Sequence, residues 1–185
     1  MLEVVSNANQ EVELELTYLA REIPTEIEGV EPVQMEDTYF PEDPSIHAQL
    51  RVRRKDDSYV VMKKVPVTEG DASAQIETSI SITKLEYDSI SSGSQRKIIK
   101  DRYLTTINGY PAEVDVFKGS LSGLVLIDFE FKSAEEKDAF EPPAVCGADV
   151  TNEHLLAAGE LSSHSYEDIA RELGRLGYLR LEIED

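Results

Sequence analysis

Residues 10–20 read QEVELELTYLA, and this stretch decides the fold. Side chains two apart on a strand share a face. Glu11, Glu13 and Glu15 therefore lie on one side, and Val12, Leu14 and Leu16 on the other. The same spacing returns with like charges farther along: Arg51 and Arg53, Lys100 and Arg102, Asp128 and Glu130. Like charges aimed one way are unfavourable unless opposite charge lies between them. Acidic strands facing basic strands across a cavity would satisfy that need. So would a bound polyanion, held by the bases and by metal ions on the acids.

Outward from 10–20, seven more segments read as strands: 33–40, 48–55, 58–66, 74–82, 96–107, 112–117 and 124–131. Asp56–Asp57 and Asn108–Gly109 mark tight turns between neighbours. Short connections make the strands mostly antiparallel, so the fold class is mainly β, a barrel or a two-sheet sandwich with a few short helices. Helix starts are signalled at Thr83, Ser133 and Ser165 by an acidic residue three positions on. Gly177 can end the last of these helices, and Thr151 can cap a fourth that ends at Gly159. Segments 22–32, 67–74 and 142–149 read as loops. Periodicity leaves two arrangements open. Charges face water around an apolar core, or charges line a wide interior whose apolar outer faces are covered.

With 185 residues, 41% hydrophobic and 30% charged, the chain predicts one domain over 1–185 with a substantial core. No stretch approaches the ~20 apolar residues of a membrane span. The acidic N-terminus does not read as a signal peptide, and the lone Cys146 rules out an internal disulfide, so a cytoplasmic location is expected. Cys146 is expected to be a packed residue. A net charge of −19 argues against nucleic acid unless positive charge is gathered locally. Six of the 18 Lys and Arg fall in 51–64 and four in 96–102, which gives such a gathering a place. His47, His154 and His164 lack a paired metal-ligand spacing and are expected as packing or surface groups.

Two carboxylates on one strand face offer hard oxygen ligands suited to Mg²⁺ or Mn²⁺. Arginine and lysine on other strands are the natural grip for phosphate oxygens. In order and spacing, the segments around Glu13-x-Glu15, QMEDTYF (34–40), LRVR (50–53), VVMKK (60–64), Lys100-x-Arg102, EVDVF (113–117), GLVLIDFEF (123–131) and PPAVCGADVT (142–151) resemble the CYTH, or triphosphate tunnel metalloenzyme, family. The resemblance covers about 10–161, with 165–185 outside it as a helix and a strand-like tail. It implies an eight-stranded antiparallel barrel with a charged tunnel. It further implies a triphosphate-containing small molecule held by Arg51, Arg53, Lys63, Lys100 and Arg102. Mg²⁺ or Mn²⁺ would sit on Glu13, Glu15, Glu77, Asp128 and Glu130, with Asp115 in support and a metal-activated water rather than a side-chain nucleophile. Four positions depart from the family pattern: Thr17 replaces a lysine, Gln75 and Ser79 replace a cation and a carboxylate, and Val145 stands where a tryptophan is usual. Three functions follow as alternatives: hydrolysis of a triphosphate, a class IV adenylyl cyclase reaction on ATP, and non-catalytic binding of polyphosphate or nucleotide. The C-terminal tail could cover an outer face, cap a tunnel mouth or support a homodimer.

Overall fold

The eight alternating segments pair into one closed antiparallel barrel in the computed structural model, which describes residues 8–182. The strands are β1 (Ala8–Ala20), β2 (Val33–Phe40), β3 (Leu50–Lys55), β4 (Ser58–Thr68), β5 (Asp71–Ser81), β6 (Lys97–Ile107), β7 (Tyr110–Phe117) and β8 (Val125–Phe131). Their order around the barrel is β1-β5-β4-β3-β2-β6-β7-β8, closing again on β1. A ninth strand, β9 (Cys146–Asp149), pairs with Tyr18 and Ala20 of β1 on the edge that β5 leaves at Leu14.

Two expected loops are instead strand. The hairpin joining β4 to β5 runs out to Thr68 and Asp71, because Gly70 at φ 83° lets the chain reverse in two residues. The 142–149 segment ends as β9 because the upper half of β1 still offers a free edge. Asn108 (φ 51°) and Gly109 (φ 87°) make the expected turn between β6 and β7.

The barrel carries its charged faces inside, and its outer wall over β1, β7 and β8 is apolar and covered. On its outer wall Tyr18, Val114, Val116, Ile127 and Phe129 are buried beneath Ile27, Phe140 and Cys146. Phe140 alone meets four rings, those of Tyr18, Tyr110, Phe129 and Phe131. Cys146 packs here as expected, and burial pushes its thiol pKa up to about 11. This settles the choice that periodicity left open.

One end of the barrel is plugged. The inward face of β1 passes from Glu13 and Glu15 through Thr17 to Leu19, and that of β8 from Glu130 and Asp128 to Leu126, with Leu124 just ahead of the strand. The apolar ends join Tyr39, Ile98 and Phe117 in a core with Val150, Leu156 and Leu161. Helix α4 (Tyr166–Arg175) adds Tyr166, Ile169 and Leu173 from one face. Helices α1 (Lys84–Ser91) and α4 begin with capping boxes at Thr83–Glu86 and Ser165–Asp168, and Ser133 caps α2 (Ala134–Asp138).

Thr151 does not cap a helix. Its hydroxyl accepts from the Thr17 N–H (3.0 Å) and donates to Asp149 Oδ1 (2.6 Å), tying the plug to β1. The segment after it splits into a 3-10 turn (His154–Leu156) and α3 (Ala158–Leu161), which contains Gly159 rather than ending at it. The tail over 178–182 is irregular; residues 183 and 184 of the expected strand lie outside the described residues. The Tyr178 hydroxyl donates to Gly123 O and accepts from Val125 N–H (both 2.8 Å), which anchors the tail beside the start of β8.

Candidate functional site: a charged barrel interior

Strand register explains how the like-charge pairs coexist. Residues directly opposite on neighbouring strands share a face. Asp37 lies opposite Arg53 across β2 and β3, and Arg102 opposite Asp115 across β6 and β7. These two inward bases therefore each meet an inward acid. Arg53 forks onto both oxygens of Asp37 at 2.7 Å, and Arg102 onto both of Asp115 at 2.6 Å. Lys100 also binds Asp115, while Arg102 reaches Glu113 and, at 3.2 Å, Asp128. Arg51 lies 3.7 Å from Glu77 and donates to the Tyr39 hydroxyl at 3.4 Å.

The enclosed space is a cavity of about 470 Å³. Among the described residues six cations line it (Arg51, Arg53, Lys55, Lys64, Lys100, Arg102) and seven carboxylates (Glu13, Glu15, Glu77, Glu113, Asp115, Asp128, Glu130). The structure thus brings together every residue singled out from the sequence except Lys63. Lys63 is exposed on the outer wall because it pairs with Leu50, whereas Met62 pairs with Arg51 on the inner one. Lys64 takes the inward place. It contacts Glu13 and lies 3.8 Å from Glu15 and 3.7 Å from Glu77. It supplies the cation beside Glu13 and Glu15 that Thr17 does not. Gln75 turns its amide back to Ala72 O at 3.0 Å.

Asp37, Tyr39, Lys64 and Glu113 are interior groups that sequence reasoning missed. The signal was there for Glu113, which repeats the two-apart spacing with Asp115. Glu11 was also missed as a metal candidate; its carboxylate oxygens and those of Glu13 and Glu77 gather within 4.8 Å.

The charges fall into two unlike halves. Burial works to raise the pKa of Asp37, but Arg53, with Arg51 and Lys100, overrides it and holds the carboxyl well below the usual range. Asp115 is likewise held low by Arg102 and Lys100 against its burial. The β1–β8 side is different. Glu15 lies opposite Glu130, and Thr17 opposite Asp128. Burial, then Glu15 and Asp115, push Asp128 up to about 8 despite Arg102. Glu130, exposed at the open end, is raised by partial burial and by Glu113, Glu13 and Glu15. Carboxyl groups whose pKa is raised by burial and by neighbouring negative charge are short of a cation. A hard divalent ion with oxygen ligands matches that donor set.

A family model for the CYTH domain matches residues 9–141. The chain belongs to the CYTH domain family. An inorganic triphosphatase of Nitrosomonas europaea is 33% identical over 112 residues, which span 60% of this chain and 72% of the relative. A solved structure of an inorganic triphosphatase superposes with a TM-score of 0.60 at 26% identity, covering 81% of this chain and 93% of its own. A Bacillus halodurans protein at 14% identity shares the fold, with a TM-score of 0.50 and 95% of each chain covered. No helix among the described residues is long and apolar enough to cross a membrane.

Proposed function

We propose that this CYTH protein hydrolyses a triphosphate, inorganic tripolyphosphate or a small organic one, inside the barrel with the help of Mg²⁺ or Mn²⁺. The observation that carries this reading is the division of the cavity into a basic wall (β3, β4, β6) and an acidic wall (β1, β5, β7, β8). Its volume falls in the usual range for small-molecule sites. The kinship with an inorganic triphosphatase supports the same reaction class.

Lys64 would add one contact to the ligand, and Arg51, Arg53, Lys100 and Arg102 would bind phosphate oxygens and spread charge away from the reacting phosphorus. Asp37 and Asp115 hold those side chains extended into the cavity, so little ordering is left for the moment of binding. Glu13, Glu15, Glu77, Asp128 and Glu130 would hold the metal. When bound there, a divalent ion supplies neutralisation of phosphate charge and an acidified water. With seven carboxylates against six cations, the interior has no positive surplus for a polyanion, and this is the physical reason a metal is needed. No side-chain nucleophile is required; Cys146 packs on the outer wall.

A second reading, a binding module without turnover, is favoured by one observation. Thr17 lies opposite Asp128, where a lysine would have supplied charge. Phosphate release from tripolyphosphate with Mg²⁺ or Mn²⁺ separates the two. ATP run alongside and assayed for cyclic AMP reads the adenylyl cyclase alternative. Metal-dependent phosphate release supports hydrolysis; tight binding without release supports the module; cyclic AMP from ATP supports the cyclase.

A further inference from the structure

Two of the three histidines, expected as packing or surface groups, meet at the plugged end of the barrel. The His47 and His154 rings stand 5.2 Å apart, centroid to centroid. His47 Nδ1 and His154 Nε2 each lie 3.9 Å from the same atom, Glu160 Oε1. The three ligand atoms gather within 4.8 Å of one another. Ligands at 2.0–2.2 Å from a tetrahedral ion stand about 3.4 Å apart. The two 3.9 Å separations exceed that by about half an ångström, and the pair of ring nitrogens lies within 4.8 Å.

The backbone beneath the cluster is held firmly. Arg96 is buried, and its guanidinium donates to Pro41 O (3.0 Å), Asp43 O (3.1 Å) and Ile46 O (2.9 Å) on the segment that carries His47. The same guanidinium donates to Gly159 O and to Ser162 Oγ on the segment that carries Glu160. Gly159 presses against Ala48, so closely that a Cβ at 159 would collide with the Ala48 carbonyl oxygen. The contact of 48 with 159 is what sets 47 beside 160. His154, on the 3-10 turn, is largely exposed and free to swing inward.

We propose that His47, which also lines the cavity, forms with His154 and Glu160 a binding site for a late first-row divalent ion such as Zn²⁺, built from ligands other than those of the acidic wall. Two imidazoles and one carboxylate are a ligand set that zinc accepts, whereas Mg²⁺ prefers oxygen alone. An ion here ties three segments together: the entry to β3, the 3-10 turn and α3. It fastens the plug to the barrel.

The test is zinc titration of the full chain with Mg²⁺ in excess to occupy oxygen-rich sites, followed by NMR of the three histidine rings. The expected result is that His47 and His154 signals shift together with one equivalent of Zn²⁺, His164 stays, and the melting temperature rises. His154→Ala, at an exposed position, keeps the fold. It should weaken zinc binding by at least ~10–100-fold, the loss seen when a mere supporting partner of a ligand is removed. Unmoved His47 and His154 rings, or a variant that binds zinc as tightly as the parent, would overturn the proposal.

Discussion

At the residue scale, the account turns on which of two neighbours points inward. Arg53 and Arg54 are adjacent, yet Arg53 grips buried Asp37 while Arg54 is exposed near Glu36. Arg53→Ala strands a buried carboxylate and should cost about 3–5 kcal/mol of stability. Arg54→Ala should stay within ~0.5 kcal/mol; chemical denaturation measures both. Lys63 and Lys64 give the matching test of ligand grip. Lys64→Met should lower tripolyphosphate affinity about tenfold or more, the loss of one charged hydrogen bond, and Lys63→Met should leave it unchanged in calorimetry. The charged face of β1, β3, β6 and β8 was legible because apolar residues alternate with the charges. At 63 and 64 two lysines follow one another, and only the pairing of Met62 with Arg51 decides between them. The histidine cluster was illegible for a related reason: its members are gathered by the fold across more than a hundred residues.

At the element scale, the eight barrel strands and three of the helix starts could be read because each carries a local signal, alternation or a cap. β9 could not. Cys-Gly-Ala-Asp has no alternation, and it is strand only because β1 is longer than its partner β5. Thr151 looked like a cap but serves β1 through the Thr17 N–H. The plug is where single elements can be tested. Gly159→Ala drives a methyl group into the Ala48 carbonyl and should destabilise the protein by about 1–3 kcal/mol. Ile169→Ala on α4, fully buried in the plug core, should cost about 2–5 kcal/mol. Both are read as shifts in denaturation midpoint.

At the scale of the whole molecule, a barrel with its charges inside stores repulsion on one wall. Asp128 has an ordinary pKa of 3.8 and one of about 8 in the folded chain. Between those values the folded protein keeps a proton that the unfolded chain has lost. Stability contributed by the protonated group is fully present below pH 3.8 and is lost as pH rises through about 8. Asp37 and Asp115, held low, act in the opposite sense and only in more acidic solution. Metal-free protein should therefore lose stability from pH 5 to 9 relative to Asp128→Asn, and saturating Mg²⁺ should flatten the difference; thermal melts across pH measure it. Whether charges faced in or out was the one global question that periodicity left open, because alternation is the same for a barrel and its inverse. The cover supplied by Phe140 and Cys146 outside, and by Leu161 and α4 at the end, answers it. The most direct test of the central claim is phosphate release from tripolyphosphate by the parent chain and by Glu130→Gln, each with and without Mg²⁺ or Mn²⁺. The account predicts release by the parent that needs the metal and falls to background in the variant while the fold persists. Release that survives in Glu130→Gln, or that proceeds without a divalent ion, would contradict it.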